Sequence, residues 1–234
     1  MSLYLYATVY PEPLPAEQFR GLLGLIPATY HEGIGKYRRW QDAHAALLGK
    51  VLLRTALEKA GHLSDLSRLQ YTAWKKPFLP AGPQFNISHS GNRVVCLLGT
   101  SARIGIDIEI LKPFSFDEFE QQFTPAEWAA IRIAPSPIAA FFHFWTAKES
   151  LIKADGRGLD IPLQELDLTK PNPIRLDGSC WSIHNLPLFD DYACHMAIED
   201  PSPDALPPAI ELHDFSPADF TLTINQLRAW PEGS

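Results

Sequence analysis

The sequence predicts an α+β fold built from two similar α/β halves in one chain. Apolar and polar residues alternate with a period of two over residues 3–10 and again over 103–110, a pattern typical of half-buried strands. Helical patterns and then short β-like segments follow each of these strands. The resulting order is β-α-α-β-β-β, then β-α-α-α-β-β-β, and the halves meet near residues 99–104. No residue-level repeat accompanies this order.

The first half begins with a strand that ends at Pro11. Its main helix is predicted from Trp40 to Ala60, where apolar residues recur at helical spacing and Gly61 supplies a C-cap. Gly91 and Asn92 tolerate positive φ and therefore predict a hairpin turn. The other elements predicted in this half are a short helix over 15–26 and strands over 68–74, 84–90 and 93–98.

The second half opens on a strand, 103–110, with two different faces. Ile104, Ile106, Ile108 and Ile110 share one face, and Gly105, Asp107 and Glu109 share the other. A central helix follows later, with Ser136 as N-cap, Pro137 in its first turn and a stop at Gly156. The other segments predicted here are helices over 115–122 and 125–133, β-like segments over 163–169, 173–176, 180–186, 192–199 and 209–214, and a proline-rich loop over 201–208. We therefore divide the chain into halves at 1–102 and 103–215 and a tail at 216–234.

Composition narrows the classes of partner. The chain has 234 residues, 46% of them hydrophobic and 20% charged, an ordinary globular balance. Its net charge of −7 argues against nucleic acid or an anionic membrane as partner. Three cysteines without metal-ligand spacing argue for a reducing compartment. We find no signal peptide and no run of eighteen apolar residues, so we expect a cytoplasmic protein.

The acidic strand face is the first candidate site. Carboxylates at Asp107 and Glu109, about 6–7 Å apart, repel each other. Mg²⁺ would offset this repulsion, because it takes oxygen ligands from one or two carboxylates and from substrate phosphates. Glu149, four residues before Lys153 on the central helix, could supply a third carboxylate. The alternatives are a solvated sheet face and a surface ion pair beside a core helix.

A polar strand end and a basic cluster are the other candidates. Residues 85–90, FNISHS, offer many hydrogen-bond donors, which suits phosphate or nucleotide contact, although a polar turn would have the same composition. The basic residues are individually typical of a solvated surface, yet together they are the places in an acidic chain that could hold a polyanionic ligand. They are Lys36, Arg38, Arg39, Lys75 and Lys76.

Three motifs together resemble one known family. FNISHS at 85–90, IGIDIE at 104–109 and FWTAKESLIKADGRGL at 144–159, in this order and spacing, resemble the 4′-phosphopantetheinyl transferases, most of all the long, single-chain surfactin-synthetase-activating (Sfp-like) type. KKPFLP at 75–80 resembles the Lys-Pro element before the first motif, and residues 38–54 resemble the family's N-terminal basic helix. The resemblance covers roughly residues 1–200. One departure is Ala45, where the family often has a basic residue.

The resemblance implies a fold and a metal site. It implies two similar α+β halves with coenzyme A in the cleft between them. Matched by motif position, Asp107, Glu109 and Glu149 would hold Mg²⁺ and the coenzyme A pyrophosphate. Lys153 would contact the phosphate on the metal. We expect neither Asp107 nor Glu149 in the core.

The resemblance also implies contacts with coenzyme A in the N-terminal half. Lys76, Ser88 and His89 would bind the nucleotide end, with His89 near the 3′-phosphate. Lys36 and Arg39 are the candidates for the remaining phosphate contacts.

The reaction implied is a Mg²⁺-dependent transfer of the 4′-phosphopantetheine arm of coenzyme A to a serine of an apo acyl-carrier or peptidyl-carrier protein, with release of 3′,5′-ADP. Glu149, or a metal-bound water beside it, would be the general base, Lys153 would stabilise developing charge and Glu127 would assist. We expect a monomer, because one chain holds both halves. Two alternatives remain: another Mg²⁺-dependent enzyme acting on phosphate esters, and a non-catalytic module that binds carrier proteins.

Overall fold

The computed structural model describes residues 3–99, 102–199 and 210–217. The α-helices within these residues are α1 (Ala16–Leu23), α2 (His31–Gly35), α3 (Trp40–Lys59), α4 (Pro125–Ile133) and α5 (Pro137–Asp155). The strands are β1 (Leu3–Val9), β2 (Gln70–Tyr71), β3 (Pro77–Phe78), β4 (Gln84–Ser90), β5 (Arg93–Gly99), β6 (Ile104–Ile110), β7 (Ile174–Leu176), β8 (Ser179–Asn185), β9 (Tyr192–Glu199) and β10 (Ile210–Phe215).

The two halves share one chain path. The first sheet has the strand order β10-β1-β5-β4 and the second has β6-β9-β8-β7. In each half, the opening strand pairs antiparallel with the last strand of a hairpin that follows the helices: β1 with β5, and β6 with β9. This confirms the α+β fold of two similar halves.

One strand departs from the predicted division of the chain. The sequence places residues 209–214 in the second half, but β10 pairs parallel with β1 in the first sheet. A strand in the second half therefore returns to the first sheet. The predicted proline-rich loop at 201–208 and most of the predicted tail lie outside the described residues.

The sheets pack face to face, and the long helices cover their outer faces. Ile104, Ile106 and Ile108 of β6 are buried against Leu5 and Leu97 of the first sheet. Helix α3 covers the other face of the first sheet, and α5 covers the other face of the second. The isoleucine face of β6 is therefore core, as predicted, and its acidic face points to α5.

The edge strands of the two sheets, β4 and β6, are joined by side chains. Because β6 lies at a sheet edge, its outward N–H groups need acceptors. Alternate polar side chains of β4 provide them. The three hydrogen bonds run from Ile106 N to Asn86 Oδ1 (2.9 Å), from Ile108 N to Ser88 Oγ (3.3 Å) and from Ile110 N to Ser90 Oγ (3.1 Å).

Three predicted segments have a different form. The helix predicted over 115–122 is a 3₁₀ helix, Asp117–Gln122, and the strand predicted over 68–74 is only the two residues of β2. The β-like segment predicted over 163–169 contains a 3₁₀ turn, Leu163–Glu165. The backbone carbonyl groups of Leu163 and Leu166 accept hydrogen bonds from the buried ammonium of Lys148, a side-chain donor, where a strand would offer backbone N–H groups. None of the helices in the described ranges is both long enough and apolar enough to cross a membrane.

Helix α5 approaches β6 closely at Gly105. A Cβ atom at this position would overlap backbone atoms of Ser150 and Ala154. Backbone atoms cannot move aside as a flexible side chain can, so only glycine allows this helix to lie so near the strand. This contact sets the distance between the acidic face of β6 and the charged residues of α5.

We therefore expect Gly105→Ala to lower the free energy of unfolding by about 3 kcal/mol or more, because the added methyl group forces α5 away from β6. Urea unfolding followed by circular dichroism measures this change. Gly33→Ala is the matched control, since a Cβ there has no atom within 4 Å and should be neutral or slightly stabilising. Equal stability of the two variants would contradict the close contact.

Candidate active site

A cleft of about 320 Å³ lies where β4, β6 and α5 meet. The strands and the helix come from different halves of the chain, so neither half forms the cleft alone. Its lining combines carboxylates, an ammonium, an imidazole and an indole. The residues are Ile87, Ser88, His89, Asp107, Glu109, Trp145, Glu149 and Lys153.

Helix α5 places Glu149 and Lys153 on one side of the cleft. The Ser136 hydroxyl accepts from Ala139 N at 3.4 Å, and Pro137 occupies the first helical position. Residues four apart lie one turn apart on the same helix face. The helix ends at Gly156, whose φ of 99° is easily adopted by glycine. The start, the end and the predicted neighbours on this helix are confirmed.

Asp107 is the most buried acid in the cleft. It is 3% exposed, and its Oδ1 accepts hydrogen bonds from Lys153 Nζ at 2.5 Å and from Ser88 Oγ at 2.9 Å. Burial raises the pKa of Asp107, against the opposing effect of Lys153. The expectation that Asp107 lies outside the core is therefore wrong, because the close contact at Gly105 covers this carboxylate with α5.

The second oxygen of Asp107 is unusual. Asp107 Oδ2 is buried and has no hydrogen-bond partner among the described residues. A buried acceptor without a partner costs free energy, more so on a charged group, and in native proteins such an atom is explained by strain, by a catalytic role or by a bound water or ion.

Glu149 and Glu109 add negative charge beside Asp107. Burial, followed by the charges of Asp107 and Glu109, raises the pKa of Glu149 to about 7, although Lys153 opposes this. Burial also raises the pKa of Glu109. A hydrogen bond from Ser90 Oγ to Glu109 Oε2 at 2.5 Å opposes this increase. Three carboxylates thus share one nearby ammonium, and the cleft has an excess of negative charge.

The donor set fits a hard divalent cation that is completed by a ligand. Within the described ranges, no group of three or more His, Cys, Asp and Glu side chains is arranged so that it could hold a metal ion. Mg²⁺ is normally held by one or two carboxylates plus waters and substrate phosphates, so a complete protein cage is not required. The unpartnered Asp107 Oδ2 and the excess negative charge are the features that fit such an ion. The assignment of Asp107, Glu109 and Glu149 as ligands stays a prediction.

Two of the residues predicted to contact the nucleotide line the cleft. His89 is exposed at its edge, where partial burial and the Lys153 ammonium lower the pKa of the imidazole. Ser88 is buried, and its hydroxyl is fully used: it donates to Asp107 and accepts from Lys153 Nζ at 3.0 Å and from Ile108 N. Their predicted contacts with coenzyme A are untested.

The other predicted basic contacts lie outside this lining. The Lys76 ammonium donates to the carbonyl oxygen of Ala154 at 2.6 Å, and burial lowers the pKa of Lys76 to about 8. Lys36 is exposed and pairs with Glu32 at 2.6 Å. Arg39 is exposed and immediately precedes α3. Lys76 holds the end of α5, whereas the exposed side chains of Lys36 and Arg39 are accessible to a ligand outside the cleft.

Sequence reasoning missed the role of Lys148 and misplaced Glu127. Both side chains are fully buried and form an ion pair at 2.8 Å. Glu127 Oε2 also accepts from Thr124 N in a capping box, and Oε1 accepts from Leu168 N. Both oxygens are occupied, so Glu127 holds α4, α5 and the following segment together. The Thr124-x-x-Glu127 spacing was the signal for this role.

Glu127→Ala should therefore lower the free energy of unfolding by about 3–5 kcal/mol, because it leaves the Lys148 ammonium buried without its charge partner. Chemical denaturation measures this loss. Glu118→Ala, at an exposed position near the start of α4, is the control and should change stability by less than about 0.5 kcal/mol. A small loss in Glu127→Ala would contradict a structural role.

The raised pKa of Glu149 predicts a pH-dependent stability difference. The pKa of this group is near its ordinary value of 4.5 in the unfolded chain and about 7 in the folded chain, so ionisation destabilises the fold progressively over this range. In EDTA, Glu149→Gln should match the wild type near pH 4.5 and be more stable by roughly 1–3 kcal/mol at pH 8. Urea unfolding at both pH values tests this. A difference that does not grow with pH would contradict the crowded carboxylates.

Comparison with known protein families agrees with this architecture. A family model described as the 4′-phosphopantetheinyl transferase superfamily matches residues 103–197. A second model, described as 4′-phosphopantetheinyl transferase, N-terminal, matches residues 12–101. The two matches lie on either side of the junction between the halves.

Individual relatives are similar over most of the chain. A 4′-phosphopantetheinyl transferase of Bacillus subtilis is 36% identical over 171 residues, which cover 70% of this chain and 75% of the relative. The 4′-phosphopantetheinyl transferase Sfp of Bacillus subtilis strain 168 is 33% identical over 170 residues, with the same coverage. A rat L-aminoadipate-semialdehyde dehydrogenase-phosphopantetheinyl transferase is 33% identical over 183 residues, covering 70% of this chain and 59% of the relative. The chain is thus an enzyme that belongs to the 4′-phosphopantetheinyl transferases and is of the Sfp-like type.

Proposed function

We propose that this enzyme transfers the 4′-phosphopantetheine arm of coenzyme A to a serine of an apo acyl-carrier or peptidyl-carrier protein, with Mg²⁺, and releases 3′,5′-ADP. The observation that carries the proposal is the cleft between the halves, where Asp107 keeps one buried oxygen unpartnered beside Glu109, Glu149 and Lys153. Family membership supplies the group that is transferred, and the cleft supplies the residues for transfer.

The bond changes in this reaction make few demands on the protein. The serine oxygen of the carrier attacks the β-phosphorus of coenzyme A, the bond between this phosphorus and the bridging oxygen breaks, and 3′,5′-ADP leaves with that oxygen. Negative charge spreads over the phosphoryl oxygens in the transition state, so positioning and charge neutralisation are the main catalytic needs. Lys153 Nζ is the cation in the cleft that can stabilise this charge.

Glu149 is the proposed general base. The serine hydroxyl must lose its proton as the new phosphorus–oxygen bond forms. The Glu149 carboxylate lines the cleft, so it lies within the space where the serine hydroxyl would be bound and can accept its proton. Glu149 also shares the cleft with Lys153, which places the proton acceptor and the charge-stabilising group on adjacent turns of one helix.

Asp107, Glu109 and Glu149 are the proposed residues for holding Mg²⁺. When bound with the diphosphate, Mg²⁺ supplies charge neutralisation and orients the phosphate groups. The carboxylates fit this role because their net charge exceeds that of the one ammonium beside them. Lys76, Ser88 and His89 are proposed to bind the nucleotide end of coenzyme A, and Lys36 and Arg39 are proposed for the remaining phosphate contacts.

We also propose that the enzyme acts as a monomer in the cytoplasm and uses neither nucleic acid nor a membrane. One chain supplies every wall of the cleft. Its cysteines Cys96, Cys180 and Cys194 are free, which suits a reducing compartment. The net charge of −7 does not favour a polyanionic partner.

Incubation with an apo carrier protein, coenzyme A and Mg²⁺ tests the function directly. The wild type should increase the carrier mass by one phosphopantetheine arm, as measured by mass spectrometry. Glu149→Gln and Asp107→Asn should each reduce the transfer rate by about 100-fold or more, since each removes a charge from the cleft. EDTA should abolish transfer, and added Mg²⁺ should restore it.

Glu12→Gln, which removes a carboxylate at an exposed position near the N-terminus, is the matched control and should transfer at the wild-type rate. Circular dichroism confirms that each variant is folded. Near-normal transfer by Asp107→Asn would refute the site assignment. No mass gain across several carriers, together with hydrolysis of a phosphate ester, would favour the alternative phosphate-ester enzyme. Carrier binding without either reaction would favour the non-catalytic module.

A further inference from the structure

Ser90 on β4 contacts two groups of β6 at once. Its hydroxyl accepts a hydrogen bond from the backbone N–H of Ile110 at 3.1 Å and donates one to Glu109 Oε2 at 2.5 Å. Ser88 makes the same pair of contacts two residues earlier, with the N–H of Ile108 and with Asp107. Each serine therefore joins a carboxylate to the backbone of the residue that follows it.

The chemistry of a hydroxyl group suits this arrangement. A serine hydroxyl has one hydrogen to donate and two lone pairs to accept. When the strand N–H occupies an acceptor site, the hydrogen is directed elsewhere, and here it points to the carboxylate. The direction of the hydroxyl hydrogen is thus set by the strand contact, and the position of the carboxylate oxygen is set by the hydrogen.

Asn86 makes the same contact with a backbone N–H of β6 but does not contact a carboxylate. It accepts from the N–H of Ile106 at 2.9 Å, in the same row of contacts. The residue before Ile106 is Gly105, which has no side chain to position. Asn86 therefore serves only to join the strands, whereas Ser88 and Ser90 join the strands and hold an acid.

The Glu109 side chain could take other positions, and the hydrogen bond from Ser90 must exclude them. The side chain is only partly buried, and two ammonium groups act on it: Lys153, which is paired with Asp107, and Lys112, further along the chain. Asp107 repels the Glu109 carboxylate. Without a hydrogen bond from β4, the repulsion from Asp107, the attraction of Lys112 and the entropy of a long side chain favour positions away from Asp107.

We propose that Ser90 is a positioning residue for the transfer reaction, which holds the Glu109 carboxylate beside Asp107 so that both can face a diphosphate and its cation. The proposal rests on the proposed function for its catalytic consequence and on the contacts with Glu109 and Ile110 for its mechanism. Ser88 plays the corresponding part for Asp107, but its additional contact with Lys153 makes it a less selective test.

Isothermal titration calorimetry can measure the binding of coenzyme A at a series of Mg²⁺ concentrations. No carrier protein is present, so the measurement tests the proposal without turnover. Ser90→Ala should raise the Mg²⁺ concentration for half-maximal binding by about tenfold or more, as is usual when a residue that orients a metal ligand is removed. Ser90→Thr keeps the hydroxyl and should restore the wild-type value within about threefold.

Asn86→Ala is the matched control, because it removes one strand contact and touches no carboxylate. It should lower the unfolding midpoint about as much as Ser90→Ala does, yet leave the Mg²⁺ dependence unchanged. Equal shifts in Mg²⁺ dependence for Asn86→Ala and Ser90→Ala would overturn the proposal, since Ser90 would then act only by joining the strands.

A crystal structure of Ser90→Ala separates this inference from the proposed function. The Glu109 carboxylate should leave its wild-type position or occupy several conformers. An unmoved carboxylate would overturn the inference even if transfer is confirmed. If the wild type shows no Mg²⁺-dependent binding of coenzyme A, the proposed function fails, and displacement of Glu109 in this crystal structure still decides whether Ser90 positions it.

Discussion

The pairing of strand β6 with side chains rather than with another backbone is the constraint on which this site depends. An edge strand needs acceptors for its outward N–H groups. Had β4 supplied its own carbonyl groups, the two sheets would have merged into one, and the space between the halves would be filled by a regular ladder. Side chains of Asn86, Ser88 and Ser90 satisfy the same donors. The two serines also keep their hydroxyl hydrogens available for the carboxylates.

This junction explains how acidic groups are retained in an unfavourable setting. Burial raises the pKa of Asp107 and of Glu149, so the fold holds these charges at a cost. The contacts that offset the cost lie around the cleft: the extensive core between the sheets, the close approach at Gly105 and the buried pair of Lys148 and Glu127. Natural proteins commonly depart from good packing and charge rules at functional sites while the remaining structure supplies stability.

The sequence predicted the features that depend on local pattern. Period-two alternation identified both faces of β6, and caps at Ser136 and Gly156 identified the ends of α5. The burial of Asp107 could not be predicted in this way, because it depends on how near α5 comes to the strand. The contacts of Lys148 with Leu163 and Leu166 could not be predicted either, because they join two segments whose relative position does not follow from any periodic pattern in the sequence.

The two halves also show why, among the described residues, this cleft forms beside β6 and not beside β1. Strands β1 and β6 occupy equivalent places, but the outer edge of β1 is paired with the backbone of β10, whereas the outer edge of β6 meets polar side chains of β4. Tyr6 of β1 belongs to the core cluster that contains the buried face of α3, while Gly105 and Asp107 of β6 face α5. A tyrosine fills the space under its helix and adds to the core. Glycine and aspartate instead bring the helix close and leave a charged oxygen without a partner. The shared chain path therefore provides the frame, and the difference in edge pairing and in side-chain size at equivalent strands confines the chemistry to the junction.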